Sequence, residues 1–253
     1  KQSFLMNQEY KSYEQSSLGS KTIVSNNYNL PYKEEWEIRN ADGYLVESIE
    51  NFKMIELLKS KKYFYNEKGL LSSIAIYENN VYVVDETQNI IQKFDNDGNF
   101  ILKWGGYGNE NGQFIGPQGI TINSSGVVYV ADSMNHRIQT FTSNGEFLSS
   151  FGKSGFGDGK LKNPVDVAVY GDFIYVSDPG NYKIEKYTSD GIFLKSFDYN
   201  FGGANVRPGG LIADPDGNIY FVDAVKYRVV KMNSDGKTIA SWGGVGRGDS
   251  KFT

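Results

Sequence analysis

From about residue 70 onward, apolar residues come in short alternating runs separated by polar turns, and the pattern returns in phase. Four tetrads mark it: Tyr82-Val83-Val84-Asp85, Tyr129-Val130-Ala131-Asp132, Tyr175-Val176-Ser177-Asp178 and Tyr220-Phe221-Val222-Asp223. Their acids are spaced by 47, 46 and 45 residues. Twelve residues after each leading Tyr stands Phe94, Phe141, Tyr187 or Met232, and four further on a turn glycine, Gly98, Gly145, Gly191 or Gly236. Asp-Gly and Asn-Gly pairs at these places predict hairpins. A last run then closes at Trp104, Phe151, Phe197 or Trp242.

Each unit reads as four strands. In the second they fall at Gly119–Ile122, Val127–Ala131, Arg137–Phe141 and Phe147–Phe151, with turns at Asn123–Gly126 and Ser143–Gly145. Alternation such as Arg137-Ile138-Gln139-Thr140-Phe141 suits a half-exposed strand. Four strands per unit of about 45 residues is the arithmetic of a propeller blade. A helical repeat would need longer runs free of turn residues.

At these residues the chain resembles the NHL-repeat β-propellers. The motif appears as Phe114…Pro117-Gln118-Gly119-Ile120, Tyr129-Val130-Ala131-Asp132, Asn135-His136-Arg137-Ile138 and Gly145-Glu146-Phe147-Leu148. Pro164 and Pro208, with Lys183-Ile184 and Arg228-Val229, carry it into later units. The resemblance spans about residues 69 to 253. It implies an all-β propeller of four-stranded NHL blades. We expect blades at 69–105, 114–152, 161–198 and 207–243, and the start of another at 244–253. Asp42-Gly43-Tyr44-Leu45 matches the turn phase and suggests a degenerate blade at 26–50, although Leu30 stands in its Asp slot. Five blades are then visible, as part of a six-bladed ring completed by further chain or by a partner. An insertion at 51–68 follows the degenerate blade, with Phe52, Ile55 and Leu58 at helical spacing. Residues 1–25 are polar and read as a tail or a ring-closing strand.

Composition narrows the chemistry. The chain has 253 residues, no Cys and one His, so neither a thiolate nucleophile nor a two-His metal site can form. A net charge of −4 disfavours a nucleic-acid surface. No apolar run approaches the roughly 18 residues of a membrane helix. The chain begins at Lys1 without a signal peptide, which we read as a processed chain or a piece of a longer one.

The recurring acids invite a carboxylate-ring reading. Yet Arg137, Lys183 and Arg228 stand five residues after Asp132, Asp178 and Asp223, spacing that pairs acid with base across a strand corner. Asp85 is the odd member, with Ile90 in the basic slot. Asp166, on an inner strand, could contribute to calcium binding, but one carboxylate makes a poor site. Arg247-Gly248-Asp249-Ser250 spells an adhesion tripeptide within a stretch whose turn chemistry explains it. Asn123-Ser124-Ser125 is a glycosylation sequon that also suits a turn.

The corner tips are the candidate binding face: Asn89, Asn135, His136, Asn181, Tyr182, Lys226 and Tyr227, a mixture of amide and aromatic groups suited to a protein or glycan. No catalytic residue, metal ligand or cofactor is expected. The sequence points to a non-enzymatic scaffold, extracellular or at the cell surface. The alternative is a metal-dependent lyase or hydrolase of the propeller type.

Overall fold

The computed structural model describes the side chains of residues 73–198, 207–247 and 251–252, and the backbone of further strands outside those spans. The chain divides into two compact units, Lys1–Leu71 and Ser72–Thr253.

In the first unit, β1 (Ser3–Met6), β2 (Glu9–Ser16) and β3 (Gly19–Asn26) form an antiparallel sheet. β4 (Glu35–Arg39) and β5 (Leu45–Glu50) make a two-stranded hairpin, and β6 covers Lys62–Tyr65. The degenerate blade expected at 26–50 is therefore a hairpin. Among the described residues there are four blades, not five or six. The Asp42-Gly43 turn signal accounts for that hairpin and for no further strands. The helical stretch expected after Asn51 lies at 51–61, outside the described residues.

The second unit holds four antiparallel blades, hydrogen-bonded in chain order. The first is β7 (Leu71–Tyr77), β8 (Asn80–Asp85), β9 (Ile90–Phe94) and β10 (Phe100–Gly105). The second is β11 (Pro117–Ile122), β12 (Val128–Asp132), β13 (Arg137–Phe141) and β14 (Phe147–Phe151), within two residues of the expected bounds. The third is β15 (Asp166–Tyr170), β16 (Phe173–Asp178), β17 (Lys183–Thr188) and β18 (Phe193–Asp198). A two-residue pair, β19 (Asn200–Phe201) with β20 (Ala204–Asn205), precedes the fourth. That blade is β21 (Pro208–Ala213), β22 (Ile219–Asp223), β23 (Arg228–Met232) and β24 (Thr238–Gly243).

The core lies between blades rather than within them. Tyr82, Val84 and Ile91 of the first blade meet Ile120, Val130 and Phe141 of the second. Tyr129 and Ile138 meet Val167, Ile174 and Tyr187, and Tyr175 and Ile184 meet Leu211, Phe221 and Met232. Each blade thus buries its apolar faces only against a neighbour, so stability is shared along the array. The turn glycines serve the same seams. Gly145 and Gly191 have φ of 81° and 79°, and a Cβ there would lie 2.7 Å from Trp104 and 2.6 Å from Phe151 of the preceding blade. The first register shift after each such turn is the bulge expected where a glycine in the left-handed region ends a hairpin loop.

The inner strands are tied by a rule that alternates. One slot reads Ser73, Gly119, Asp166, Gly210. Ser73 Oγ accepts from Ile120 N at 3.4 Å, and Asp166 Oδ2 accepts from Leu211 N at 2.7 Å. Gly119 is required because a Cβ would collide with Asp166 and Val165. Asp166 is buried and bound to backbone.

Candidate functional site: the corner end of the blades

Four corners join the second and third strands, and the inter-blade loops lie against them at the same end. In the second blade Asp132 is fully buried at the hub. It accepts from Arg137 Nε (2.7 Å), Asn135 Nδ2 (2.9 Å), Gln139 Nε2 (3.0 Å) and Ile115 N (2.9 Å). Those donors then reach the preceding loop. Arg137 Nη2 bonds Glu110 O and Gln113 O, Asn135 Nδ2 bonds Gly108 O, and Gln139 Nε2 bonds Gln113 O. One carboxylate therefore organises a loop that has no regular structure of its own. Charge-assisted bonds of this kind are the strong ones.

Asp223 repeats the pairing, with Arg228 Nε at 3.0 Å and the Val225 and Lys226 amides on its other oxygen. Asp85, half-buried and without a basic residue in its slot, caps its own turn through Gln88 N and Nε2 at 2.9 and 2.8 Å.

The third blade departs from the expectation. Lys183 does not pair with Asp178; its Nζ lies 3.1 Å from Asp158 and 3.5 Å from Asp198. An ammonium at the end of a flexible stem reaches these exposed acids, whereas the guanidinium fork can touch the buried acid and the loop carbonyls together. Asp178 instead accepts from Lys162 N (2.9 Å) and Asn181 Nδ2 (2.8 Å). Asn181 Nδ2 also bonds Gly155 O and Lys160 O. Burial pushes the Asp178 carboxyl up to about 6, against the pull of these donors. Burial likewise pushes Glu185 up to about 7.

The corner tips share one backbone state. Asn89, His136, Tyr182 and Tyr227 have φ of 58°, 56°, 60° and 51°. Asn and His take this left-handed conformation several times more often than most residues, whereas Tyr does so at a cost. Their side chains divide the same way. Asn89 Oδ1 accepts from Gly116 N at 2.8 Å, and His136 Nδ1 accepts from Asn163 N at 3.1 Å. Both latch the residue just before the proline, Pro117 or Pro164, that opens the next blade. Tyr182 and Tyr227 are instead 45% and 43% exposed. Beside these tips, on the inter-blade loops, stand Tyr107 and Phe156, 74% and 73% exposed.

Of the seven expected face residues, Asn135 and Asn181 thus turn inward to their acids, and Asn89 and His136 bridge to the next blade. Lys226 donates its backbone N–H into the Asp223 corner. Tyr182 and Tyr227 present rings to solvent, and Tyr107 and Phe156 join them although the sequence reading passed them over. Each is an aromatic residue flanked by glycines, the signal that marks it in the sequence. Among the described residues no group of three His, Asp or Glu is placed to hold a metal ion. Gly248, Asp249 and Ser250 of the adhesion-like tetrapeptide lie outside the described residues. Asn123 of the sequon accepts from Ser125 N and Val127 N, closing its turn.

The NHL repeat pattern matches residues 114–141, which run from the loop before β11 through β13. No curated protein sequence matches the chain. Among solved structures it is similar to a streptogramin B lyase, with TM-score 0.55 and 14% identity over 95% of this chain and 71% of that one. It is similar to virginiamycin B lyase from Staphylococcus aureus, with TM-score 0.55 and 15% identity over 93% and 70%. It is also similar to a chain of a nidogen/laminin complex, with TM-score 0.52 and 13% identity over 83% and 89%. At such identities the likeness is one of fold. With the repeat match at 114–141 and four blades in register, the chain is a β-propeller that carries an NHL repeat.

Proposed function

We propose that this chain is a non-enzymatic binding platform whose corner end receives a protein partner. The observation that carries the reading is the pair Tyr182 and Tyr227, bulky residues in the left-handed region with rings left in solvent. Asn or Gly would hold the turn at lower cost, and strain retained on an exposed aromatic is a mark of function. Tyr107 and Phe156 extend the surface, and aromatic residues supply much of the contact energy at protein interfaces. The clasped loops beneath present these rings on a pre-organised base, which lowers the entropy cost of binding. A solved relative in fold, nidogen, is seen in complex with laminin, which favours a protein over a glycan here. An extracellular or cell-surface setting goes with this reading.

The test places a photo-crosslinking phenylalanine analogue at position 182 or 227, and at Asp190 in a turn at the opposite end of the third blade as control. Crosslinks to one protein from positions 182 and 227 only are expected. Tyr182→Ala with Tyr227→Ala should then weaken its capture at least tenfold without lowering Tm. Equal crosslinking from Asp190, or unchanged affinity of the double variant, would refute the face. The lyase neighbours keep one rival in view: stoichiometric bound calcium or zinc in the purified protein would favour a metal-dependent lyase or hydrolase.

A further inference from the structure

The second and third blades build the same corner in the same register and, beyond Arg137 against Lys183, differ at a further functional group. Seven residues after the corner acid stands Gln139 in one and Glu185 in the other. Gln139 pairs with Val130 and Ser150, and Glu185 with Val176 and Ser196. Gln139 accepts from Gly112 N through Oε1 (3.0 Å) and donates through Nε2 to Gln113 O (2.7 Å) and Asp132 Oδ2 (3.0 Å). A carboxylate can repeat the acceptance but not the donation. Glu185 is fully buried. Its Oε2 lies 2.7 Å from Ser196 Oγ, whose single proton is contested by Asp158 Oδ1 at 3.0 Å, while Oε1 is sealed from solvent with no donor.

The charges around it do not supply one. Asp178 faces it from the end of β16, and Tyr187, whose buried hydroxyl sits well above its ordinary pKa, shares β17 with it. Lys183, also on β17, divides its ammonium between Asp158 of the inter-blade loop and Asp198 of β18. Among the described ion pairs none reaches Asp178. Two carboxyl groups thus share a buried corner, and among the described ion pairs none reaches either, so both cannot stay ionised cheaply.

We propose that Glu185 carries a proton on Oε1 and donates it into the Asp178 corner, as Gln139 Nε2 does to Asp132, so that the third blade grips loop 152–164 through a proton-dependent clasp. The raised folded-state values of both acids agree with this. Because they are raised, the stabilisation is complete below the ordinary carboxyl range of about 4–4.5 and is lost as pH rises through about 6 to 7. Above that range the loop that carries Phe156 loosens.

Glu185→Gln supplies the donor permanently. Its Tm should match that of the parent near pH 5 and exceed it by roughly 5 °C near pH 8. Gln139→Glu should install the same dependence in the second blade, losing Tm relative to the parent as pH rises between the same two values. Carboxyl 13C NMR should show Glu185 titrating near 7. A Tm difference between Glu185→Gln and the parent that is constant from pH 5 to 8 would overturn the proposal, as would titration of Glu185 in the ordinary range.

Discussion

The second and third blades hold their preceding loops by different means at the same place. In the second, Asp132 meets a guanidinium, two side-chain amides and a backbone N–H, so its charge is balanced where it is buried. In the third, Asp178 has an amide and a backbone N–H but no cation, because Lys183 turns to Asp158 and Asp198. The comparison teaches that the fold needs a buried acceptor at the corner and donors that bridge to the loop, and that the balancing charge is optional. A repeat can change its basic residue without changing its shape. What changes is how the corner responds to conditions: a guanidinium stays charged at every accessible pH, whereas a carboxyl pair does not.

The largest effect should come from breaking the balanced corner. Arg137→Met leaves Asp132 buried without its cation and should cost about 3 kcal/mol, the penalty of half a buried pair. Asp132→Ala should cost about 1–3 kcal/mol, since the stranded donors can rotate or find water. Chemical denaturation of both variants checks the order. Asp178→Asn should cost less than Asp132→Asn at pH 7.5, because the amide keeps one acceptor and ends the conflict with Glu185; equal losses would erase the distinction between the corners. The smallest effect belongs to Lys183→Met. Its partners Asp158 and Asp198 are largely exposed and solvent screens the pair, so Tm should move by less than about 2 °C. A larger drop would mean that the ammonium acts on Asp178 after all.

Much of this was legible in the chain and some was not, for reasons that particular residues make plain. The tetrads at Tyr82, Tyr129, Tyr175 and Tyr220 announce the blades because period-2 burial is written into neighbouring residues. Asp132–Arg137 and Asp223–Arg228 were legible because acid and base stand opposite each other in register. Lys183 sits opposite Asp178 just as they do, yet acids at 158 and 198, distant in the chain, capture it. The same distance hides the tie from Asp166 to Leu211 and the need for Gly119 beneath it. The degenerate blade at 26–50 matched a turn phase, but a turn signal alone specifies only the hairpin β4–β5. The tips were legible as corner positions, but their left-handed backbone was not, because Asn89, His136, Tyr182 and Tyr227 share that conformation and no side-chain chemistry.

The central claim is that each buried corner acid holds the loop before its blade. Amide hydrogen exchange read at Ile115 and Lys162 tests it most directly, since these N–H groups donate to Asp132 and Asp178 respectively. In Asp132→Ala the account predicts that Ile115 loses its protection while Lys162 keeps it. Protection of Ile115 that survives the loss of Asp132 would contradict the account.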